Sequence, residues 1–225
     1  MEPRIVSPAN TNPDIVFHAQ RDNVADLLVA LGKFDNEPLL ATDIGGVLVQ
    51  GGVCDLYWRK DSFKEITRMY GGDALELLMY YESAHRRSQL NEVDEVEVLR
   101  GLANMTDLAT WQDLFRLLAH RNQTNFGLEL LYQLKKRDWQ IVVHSNIDSL
   151  WYHEMSTRFQ WRDFVKNKVL SFEIGCLKPD REFMDIVDNV AENRKGWFID
   201  DSVANIEMAR ASGWRTILVH NHPWN

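Results

Sequence analysis

The chain has 225 residues, 45% of them hydrophobic, and a formal net charge of −8 at pH 7. This apolar content is enough for a folded core and excludes a disordered class, and the negative charge argues against a general nucleic-acid surface, which needs clustered cations. Two cysteines far apart, Cys54 and Cys176, exclude a disulfide scaffold. Without a leader-like segment or an apolar stretch long enough for a bilayer, we expect a cytoplasmic protein that binds neither nucleic acid nor membranes.

The N-terminal segment, residues 1–38, is predicted to be an irregular arm followed by one helix. Residues 1–20 contain three prolines, and residues 22–32 place apolar side chains at helical spacing before a glycine that can end a helix. Residues 38–43 form a short apolar run that ends on Asp43 and is followed by two glycines. This pattern is typical of a buried strand that leads into a tight turn.

Residues 57–122 differ from their surroundings because they show helical periodicity and little strand signal. We expect an all-helical insertion in which one helix carries Leu75, Leu78, Met79 and Glu82, a second carries Val93, Val96, Leu99 and Leu102, and a third carries Leu108, Trp111, Leu114, Phe115 and Leu118. The acidic run at 92–95 is predicted to be a solvated helix start.

After the insertion, predicted strands and helices alternate. We expect strands over 139–144, 168–173, 196–200 and 214–219, and helices over 128–137, 149–158, 180–190 and 202–212. Such alternation predicts an α/β fold with a Rossmann-like parallel sheet and helices on both faces. Residues 39–56 and 123–225 would form this core.

Polar residues follow the predicted strands where a ligand would bind. They are Asp43, then Ser145 and Asn146, then Lys178 in the next connection, and finally Asp200 and Asp201. In parallel sheets these positions converge beyond the carboxyl ends of the strands. Three close carboxylates need a cation to stay ionised, and Mg²⁺ is the usual one beside phosphate. The lysine suits a phosphoryl oxygen.

These segments resemble, in order and spacing, the four motifs of the haloacid-dehalogenase-like (HAD) hydrolase superfamily, with the helical insertion where a C1-type cap belongs. The resemblance implies a Mg²⁺-dependent phosphatase of a small phosphomonoester, such as a sugar phosphate. It implies that Asp43 is the nucleophile that becomes an aspartyl-phosphate, and that Ser145 and Lys178 bind the phosphoryl group. By the same resemblance, Mg²⁺ would be held by Asp43, the carbonyl of Gly45, Asp201 and, through water, Asp200; Gly46 and Asn146 would bind phosphate, and Asn205 would brace the loop.

Gly45 departs from the family pattern, which usually has an acid-base aspartate at this place. General acid-base catalysis by such a residue typically accelerates a reaction by about 100- to 10,000-fold. Some members that resemble sugar-phosphate phosphatases also carry glycine here, so a phosphatase could use a cap residue instead; Glu82 and His85 are candidate acids, and His85 and Arg86 could hold an anionic substrate. The alternatives are a protein that binds phosphate or a partner without turnover and a haloacid dehalogenase, whose leaving group needs no proton but which keeps no paired acid such as Asp200-Asp201. Oligomeric state is left open.

Overall fold

The computed structural model describes residues 13–19, 22–32, 38–51, 56–162 and 165–221, with the side chains of 56–58 excepted. Cys54 and the first twelve residues of the predicted arm lie outside these ranges. The strands in the described chain are β1 (Ile15–His18), β2 (Leu39–Asp43), β3 (Val49–Gln50), β4 (Gln123–Thr124), β5 (Gln140–Ser145), β6 (Asn167–Leu170), β7 (Trp197–Asp200) and β8 (Arg215–His220). The helices are α1 (Val24–Gly32), α2 (Leu56–Tyr70), α3 (Ala74–Gln89), α4 (Glu95–Asn104), α5 (Trp111–His120), α6 (Phe126–Lys135), α7 (Ser149–Arg158), α8 (Ser171–Ile174), α9 (Arg181–Val190) and α10 (Val203–Ala211).

The main sheet is parallel throughout and has the strand order β1-β8-β7-β2-β5-β6. The strand that ends at Asp43 therefore lies in the middle, between β5 and β7. Every residue of β2 is buried, which explains why it reads as a continuous apolar run rather than an alternating one. The predicted Rossmann-like parallel core is confirmed.

Side-chain alternation along β2 divides the interior into two cores. Leu39 and Ala41 pack on the side of α9 and α10, with residues such as Phe183 and Ile206. Leu40 faces the opposite side, where α1, α6 and α7 pack. That second core continues without a break into the helices α2–α5. In the sequence, these helices come between β3 and β4, two short strands that pair in antiparallel orientation. The helical insertion is thus anchored on one face of the sheet only.

The N-terminal segment differs from the prediction because residues 15–18 form an edge strand. β1 pairs with β8 in parallel, with Phe17 opposite Val219. Phe17 is buried and its ring centroid lies 4.4 Å from that of Phe126. The carboxylate of Asp14 accepts a hydrogen bond of 2.7 Å from the backbone N–H of Thr216. The strand has only four residues and follows a proline-rich stretch, so the sequence alone does not predict it. It is recognised from its pairing with β8.

The predicted strand over 168–173 ends early, because the chain turns into the short helix α8 after Leu170. The hydroxyl of Ser171 accepts from the backbone N–H of Ile147 at 2.9 Å and donates to its carbonyl at 3.0 Å. These contacts tie the start of α8 to the loop after β5. They hold the following connection, which carries Lys178, over the end of the sheet.

Helix α3 turns a different face inward from the one that its leucines suggested. Leu75 and Met79 are 63% and 65% exposed. The buried positions are Leu77, Tyr81, His85 and Ser88. The N-terminus of α4 also differs from expectation, since Glu95, predicted to be solvated, is buried. Polar groups at the junction of cap and core therefore set the orientation of these helices.

None of the helices in the described part of the chain combines the length and the apolar character needed to cross a lipid bilayer.

Candidate active site

The carboxyl ends of the three central strands bring most of the predicted site residues together. Asp43 ends β2 and lies opposite His144 of β5, and Asp200 ends β7 on the other side. Lys178 enters from the connection between α8 and α9. This is the edge at which ligands bind to parallel α/β sheets.

The ammonium group of Lys178 is held by three acceptors. Its Nζ lies 2.7 Å from Asp200 Oδ2, 3.0 Å from Asp43 Oδ1 and 3.2 Å from His144 Nδ1. An ammonium has three N–H donors, so each finds a partner. Burial alone lowers the pKa of Lys178, but the carboxylates of Asp200 and Asp43 more than offset this, so the pKa is raised. Lys178 is a fixed positive charge between the two acids.

The contact of His144 with Lys178 is not visible from the sequence. Its ring stacks on Phe198, with centroids 4.1 Å apart and planes 11° apart. Burial and the nearby charge of Lys178 hold the pKa of His144 well below its usual value, so the ring is neutral. It therefore supports Lys178 as an acceptor and adds no charge to the site.

The two carboxylate oxygens of Asp43 have different surroundings. Oδ1 accepts from the backbone N–H of Ile44 at 2.7 Å and from Lys178. Within the described residues no hydrogen bond reaches Oδ2, which leaves that oxygen for an incoming group. Burial, opposed by Lys178 and assisted by the negative charge of Asp200, raises the pKa of Asp43 to about 6. A further cation beside Oδ2 would favour the ionised form.

Asp200 is fully engaged by the protein. Its Oδ1 accepts from the backbone N–H of Ser202 at 2.8 Å, and the side-chain amide of Asn205 donates to Oδ1 at 2.9 Å and to Oδ2 at 3.0 Å. With Lys178 also on Oδ2, little acceptor capacity remains. Asp200 thus positions Lys178, and Asn205 positions Asp200.

Asp201 is half-buried and lies against the turn after β2. Gly46 has φ +72°, and a Cβ built on it would lie 2.0 Å from Asp201 Oδ2. The side-chain amide of Asn125 donates to the carbonyl of Gly46 at 2.9 Å and to Asn221 Oδ1 at 3.1 Å. The glycine is therefore required so that the acid can approach the turn.

Together the donors around this turn suit a hard divalent cation. The free oxygen of Asp43, the backbone of Gly45 and the carboxylate of Asp201 offer oxygen only, which is the chemistry that Mg²⁺ prefers. Asp43 and Asp200 also leave more negative charge at the strand ends than Lys178 balances. The residues present therefore fit such an ion.

The second predicted segment joins the site at the strand ends to the cap. Ser145 is buried at the end of β5. The side chain of Asn146 accepts from the backbone N–H of Lys178 at 2.7 Å and donates to its carbonyl at 2.9 Å. The carbonyl of Asn146 accepts in turn from the side-chain amide of Gln89 in α3, at 2.9 Å. Asn146 fixes Lys178 and holds the cap at the same time.

A small cavity of about 40 Å³ lies between cap and core at this point. Its lining consists of Ile44, Gly45, Arg59, Tyr81, His85, Gln89, Ser145, Asn146, Ile147, Trp151 and Met155. Of the cap residues predicted to face a substrate, His85 lies on the cavity. Glu82 does not line it but accepts a hydrogen bond of 2.6 Å from Arg59, which does, and Arg86 is exposed. A larger cavity of about 260 Å³, between α2 and the β3–β4 pair, contains none of the predicted residues.

A buried polar cluster at the junction of cap and core was missed by sequence reasoning. His85 Nδ1 lies 3.4 Å from Glu95 Oε2 and 3.5 Å from Asp148 Oδ2. Trp151 Nε1 donates to Glu95 Oε1 at 3.0 Å, and Ser88 donates to Oε2 at 2.5 Å. Burial raises the pKa of Glu95 to about 7, and burial with the charge of Glu95 raises that of Asp148 to about 7. In the sequence, His85 and Ser88 are three residues apart and so share one helical face. This spacing was the signal that could have indicated the cluster.

Comparison with known proteins identifies the fold and no closer relationship. No family model matches the sequence, and no curated protein matches it significantly. Solved structures do match: the chain has the fold of the HAD-like hydrolases, with its strand-end carboxylates and lysine at the edge where this fold places a site.

Three of the similar solved structures illustrate the likeness. A HAD family enzyme from Bacteroides thetaiotaomicron, in complex with magnesium and inorganic phosphate, is 20% identical with a TM-score of 0.65, over 83% of this chain and 96% of that one. A predicted HAD-like family hydrolase from Porphyromonas gingivalis is 17% identical with a TM-score of 0.60, over 83% and 93%. The L-2-haloacid dehalogenase from Xanthobacter autotrophicus, with chloropropionic acid covalently bound, is 14% identical with a TM-score of 0.56, over 81% and 77%.

Proposed function

We propose that the protein is a Mg²⁺-dependent phosphatase that transfers the phosphoryl group of a small phosphomonoester to Asp43 and then hydrolyses it. The observation that carries this proposal is the position of Lys178, which is buried between the carboxylates of Asp43 and Asp200 at the strand ends. A fixed cation beside a carboxylate with one free oxygen suits attack on a phosphoryl group, because the charges of both partners must be balanced as they approach.

Each residue of the site has a distinct part in this chemistry. The carboxylate of Asp43 attacks phosphorus, with Lys178 and the backbone N–H of Ile44 beside its Oδ1. Lys178 balances charge on the phosphoryl oxygens, and the hydroxyl of Ser145 donates to one of them. When bound by Asp43, the carbonyl of Gly45 and Asp201, Mg²⁺ would draw the anionic phosphoryl group toward the anionic nucleophile. Asp200 and Asn205 hold Lys178 in place through their contacts.

The structural neighbour with magnesium and inorganic phosphate supports this proposal, although its fold alone would not decide it. The dehalogenase neighbour shows that the same fold also performs halide displacement. The acid pair Asp200-Asp201 favours a phosphatase over that alternative, because a metal-independent reaction gains nothing from Asp201 beside the turn.

Gly45 favours a second candidate, a protein that binds a phosphorylated ligand without turnover. Its glycine offers a backbone carbonyl but no group that could move a proton. The two candidates make the same prediction for binding of phosphate and Mg²⁺, and differ in whether phosphate is released.

A panel of sugar phosphates, nucleotides and acyl phosphates, assayed with and without Mg²⁺, tests the proposal. We expect Mg²⁺-dependent phosphate release that Asp43→Asn lowers by roughly 10³-fold or more, because the nucleophile is lost. Asp185→Asn, the same change on the exposed face of α9, serves as the control and should behave as wild type. Phosphate release by Asp43→Asn at the wild-type rate would contradict the proposal of a phosphatase. Halide release that EDTA leaves intact would indicate the dehalogenase, and phosphate binding without release the second candidate.

A further inference from the structure

We propose that His144 is a positioning residue for the transfer of the phosphoryl group to Asp43. Together with Asp200, it anchors the ammonium group of Lys178 while the third N–H of that group turns from Asp43 to a phosphoryl oxygen. The family resemblance assigns no role to this histidine. The inference rests on the proposed function and adds to it the group that keeps the lysine in place during the reaction.

The sheet places His144 beside the two acids of the site. Asp43 ends β2 and is in register with His144 of β5, and Asp200 ends β7 on the other side of β2. Side chains two positions apart on a strand point to the same face of the sheet. The residues two positions before these three pack in one core, beside α9; they are Ala41, Val142 and Phe198. The three polar side chains therefore share that face, where Lys178 contacts all of them.

The contacts of Lys178 in the described part of the chain are two hydrogen bonds and one ion pair. Nζ donates to Asp200 Oδ2 at 2.7 Å and to His144 Nδ1 at 3.2 Å, and it lies 3.0 Å from Asp43 Oδ1. An ammonium group has three N–H donors, so each contact occupies one of them. A phosphoryl oxygen can therefore accept from Lys178 only if one of these three partners gives way.

Asp43 is the partner whose hold on Lys178 the reaction itself weakens. Before the transfer, the charge of its carboxylate attracts the ammonium group. As the bond from this carboxylate to phosphorus forms, the bond from phosphorus to the leaving group breaks and its electron pair departs with the leaving group. The negative charge then lies on the phosphoryl oxygens, which are attached to the same side chain. The N–H that faced Asp43 turns to one of these oxygens, while the bonds to Asp200 and His144 stay in place.

His144 suits this anchoring role because its ring is fixed and uncharged. It stacks on Phe198 with centroids 4.1 Å apart. Burial and the nearby charge of Lys178 hold the pKa of His144 well below its usual value, so Nδ1 keeps its lone pair. A carboxylate in its place would also accept, but it would add a third negative charge beside Asp43 and Asp200. A neutral acceptor leaves the charge of the lysine available to the phosphoryl group.

A metal ion held by Asp43, His144 and Asp200 is a competing interpretation, because one donor atom of each lies within 4.8 Å of the others. The ammonium nitrogen of Lys178 already lies within 3.2 Å of an acceptor atom of each residue. A buried cation in that position occupies the space and repels a second one. The geometry therefore favours an anchor for the lysine over a metal site.

Two substitutions separate the acceptor of His144 from its ring. His144→Phe keeps a ring that can stack on Phe198 and removes the acceptor. His144→Asn removes the ring and can place an oxygen acceptor, Oδ1, the same number of bonds from the backbone as Nδ1. We expect activity to follow the acceptor. Thermal unfolding should rank the variants in the opposite order, with His144→Asn the less stable, because it loses the stacked ring and leaves a cavity.

The kinetic measurement is the turnover of acetyl phosphate in the presence of Mg²⁺. His144 acts through Lys178 and only as charge moves to the phosphoryl group, so KM should stay close to the wild-type value. The kcat of His144→Phe should fall by about 10-fold or more, because the lost hydrogen bond is made to a charged group. His144→Asn should recover most of this loss. His120→Phe and His120→Asn, the same changes at an exposed histidine of the cap, are the matched controls and should behave as wild type.

A second measurement needs no substrate. Nitrogen-15 NMR of the histidine side chains at pH 7 should show His144 with an unprotonated Nδ1 and the ring proton on Nε2. The spectrum of His144→Asn assigns these resonances, and the Nδ1 resonance should shift in Lys178→Met. A protonated Nδ1 in the wild-type protein, or an Nδ1 resonance that ignores the loss of the ammonium group, overturns the proposed role.

The outcomes distinguish failure of this inference from failure of the proposed function. If wild type releases phosphate and His144→Phe keeps the wild-type kcat, or if His144→Asn loses as much activity as His144→Phe, the inference is wrong and the phosphatase stands. If His144→Phe does not fold, the kcat of His144→Asn and the state of Nδ1 in wild type decide. A wild-type protein that releases no phosphate from any member of the panel overturns the proposed function and this inference together.

Discussion

The turn after β2 shows how closely single residues control the site. Lys178 bonds to Asp43, Asp200 and His144 at the strand ends, and Asp201 lies against Gly46 in the turn that follows β2. The strand-end residues could be predicted from the sequence, because an apolar run followed by an acid marks where a buried strand ends. The hydrogen bond that Lys178 donates to His144 could not be predicted, because it depends on the register between β2 and β5.

Gly46→Ala should reduce Mg²⁺ affinity by about 10-fold or more, as loss of a supporting residue at a metal site typically does. A Cβ would lie 2.0 Å from Asp201 Oδ2, and φ +72° adds backbone strain. Calorimetric titration with Mg²⁺ measures the effect.

Gly213→Ala provides the control for strain alone, since φ is +87° there and nothing lies within 4 Å of the new Cβ. It should cost about 1 kcal/mol of stability and leave Mg²⁺ affinity unchanged. Equal Mg²⁺ affinity in Gly46→Ala and wild type would place the cation away from Asp201.

At the scale of elements, the junction of α3 and α4 with α7 departs most from what periodicity predicts. Helical periodicity grouped Leu75 with Met79, whereas the helix buries Tyr81, His85 and Ser88. The hydrogen bond that Ser88 donates to Glu95, which also accepts from Trp151, accounts for the difference, because a buried polar cluster stays paired only in one orientation. Single-sequence patterns weight apolar residues and cannot identify such partners.

The titration of Glu95 should make this junction sensitive to pH. Its pKa is about 7 in the folded protein, because of burial, against an ordinary value of 4.5. Between these values the unfolded chain has released a proton that the folded protein still binds, so stability falls as pH rises and the loss is complete above about 7. The charged groups that act on it are Arg59, Asp94 and Asp148, whereas the neighbouring His85 is neutral in this range because its pKa is lowered to about 4.

Glu95→Gln removes this titration, so the variant should gain stability relative to wild type as pH rises from 5 to 8, on the order of 2 kcal/mol. Thermal unfolding at both pH values measures the gain. The exposed Glu92→Gln should show no such trend. A pH-independent difference for Glu95→Gln would mean that Glu95 is ionised in the fold.

For the molecule as a whole, alternating strands and helices predicted the parallel sheet and the edge at which the site lies. The sequence did not indicate the strand order or the pairing of β1 with β8, since both depend on contacts between distant segments. Of the predicted N-terminal segment, residues 15–18 are part of the sheet.

Phe17→Ala should destabilise the protein by about 3–5 kcal/mol, because it leaves a cavity between β1 and Phe126. Val16 lies on the other face of the same strand and is 43% exposed, so Val16→Ala should cost roughly 0.5 kcal/mol or less. Urea unfolding compares them. Similar stability of the two variants would show that β1 does not pack as described.

The pairing of β1 with β8 also has a consequence for the order of assembly. Asp14 and Thr216 bond to each other across 202 positions of sequence, so β1 must wait for a strand that is synthesised much later. Closing so long a loop carries an entropic cost, which the contacts of β8 with its completed neighbouring strands must offset. The sheet can therefore be completed only after β8 has been synthesised. Until then β1 lacks the strand with which it pairs.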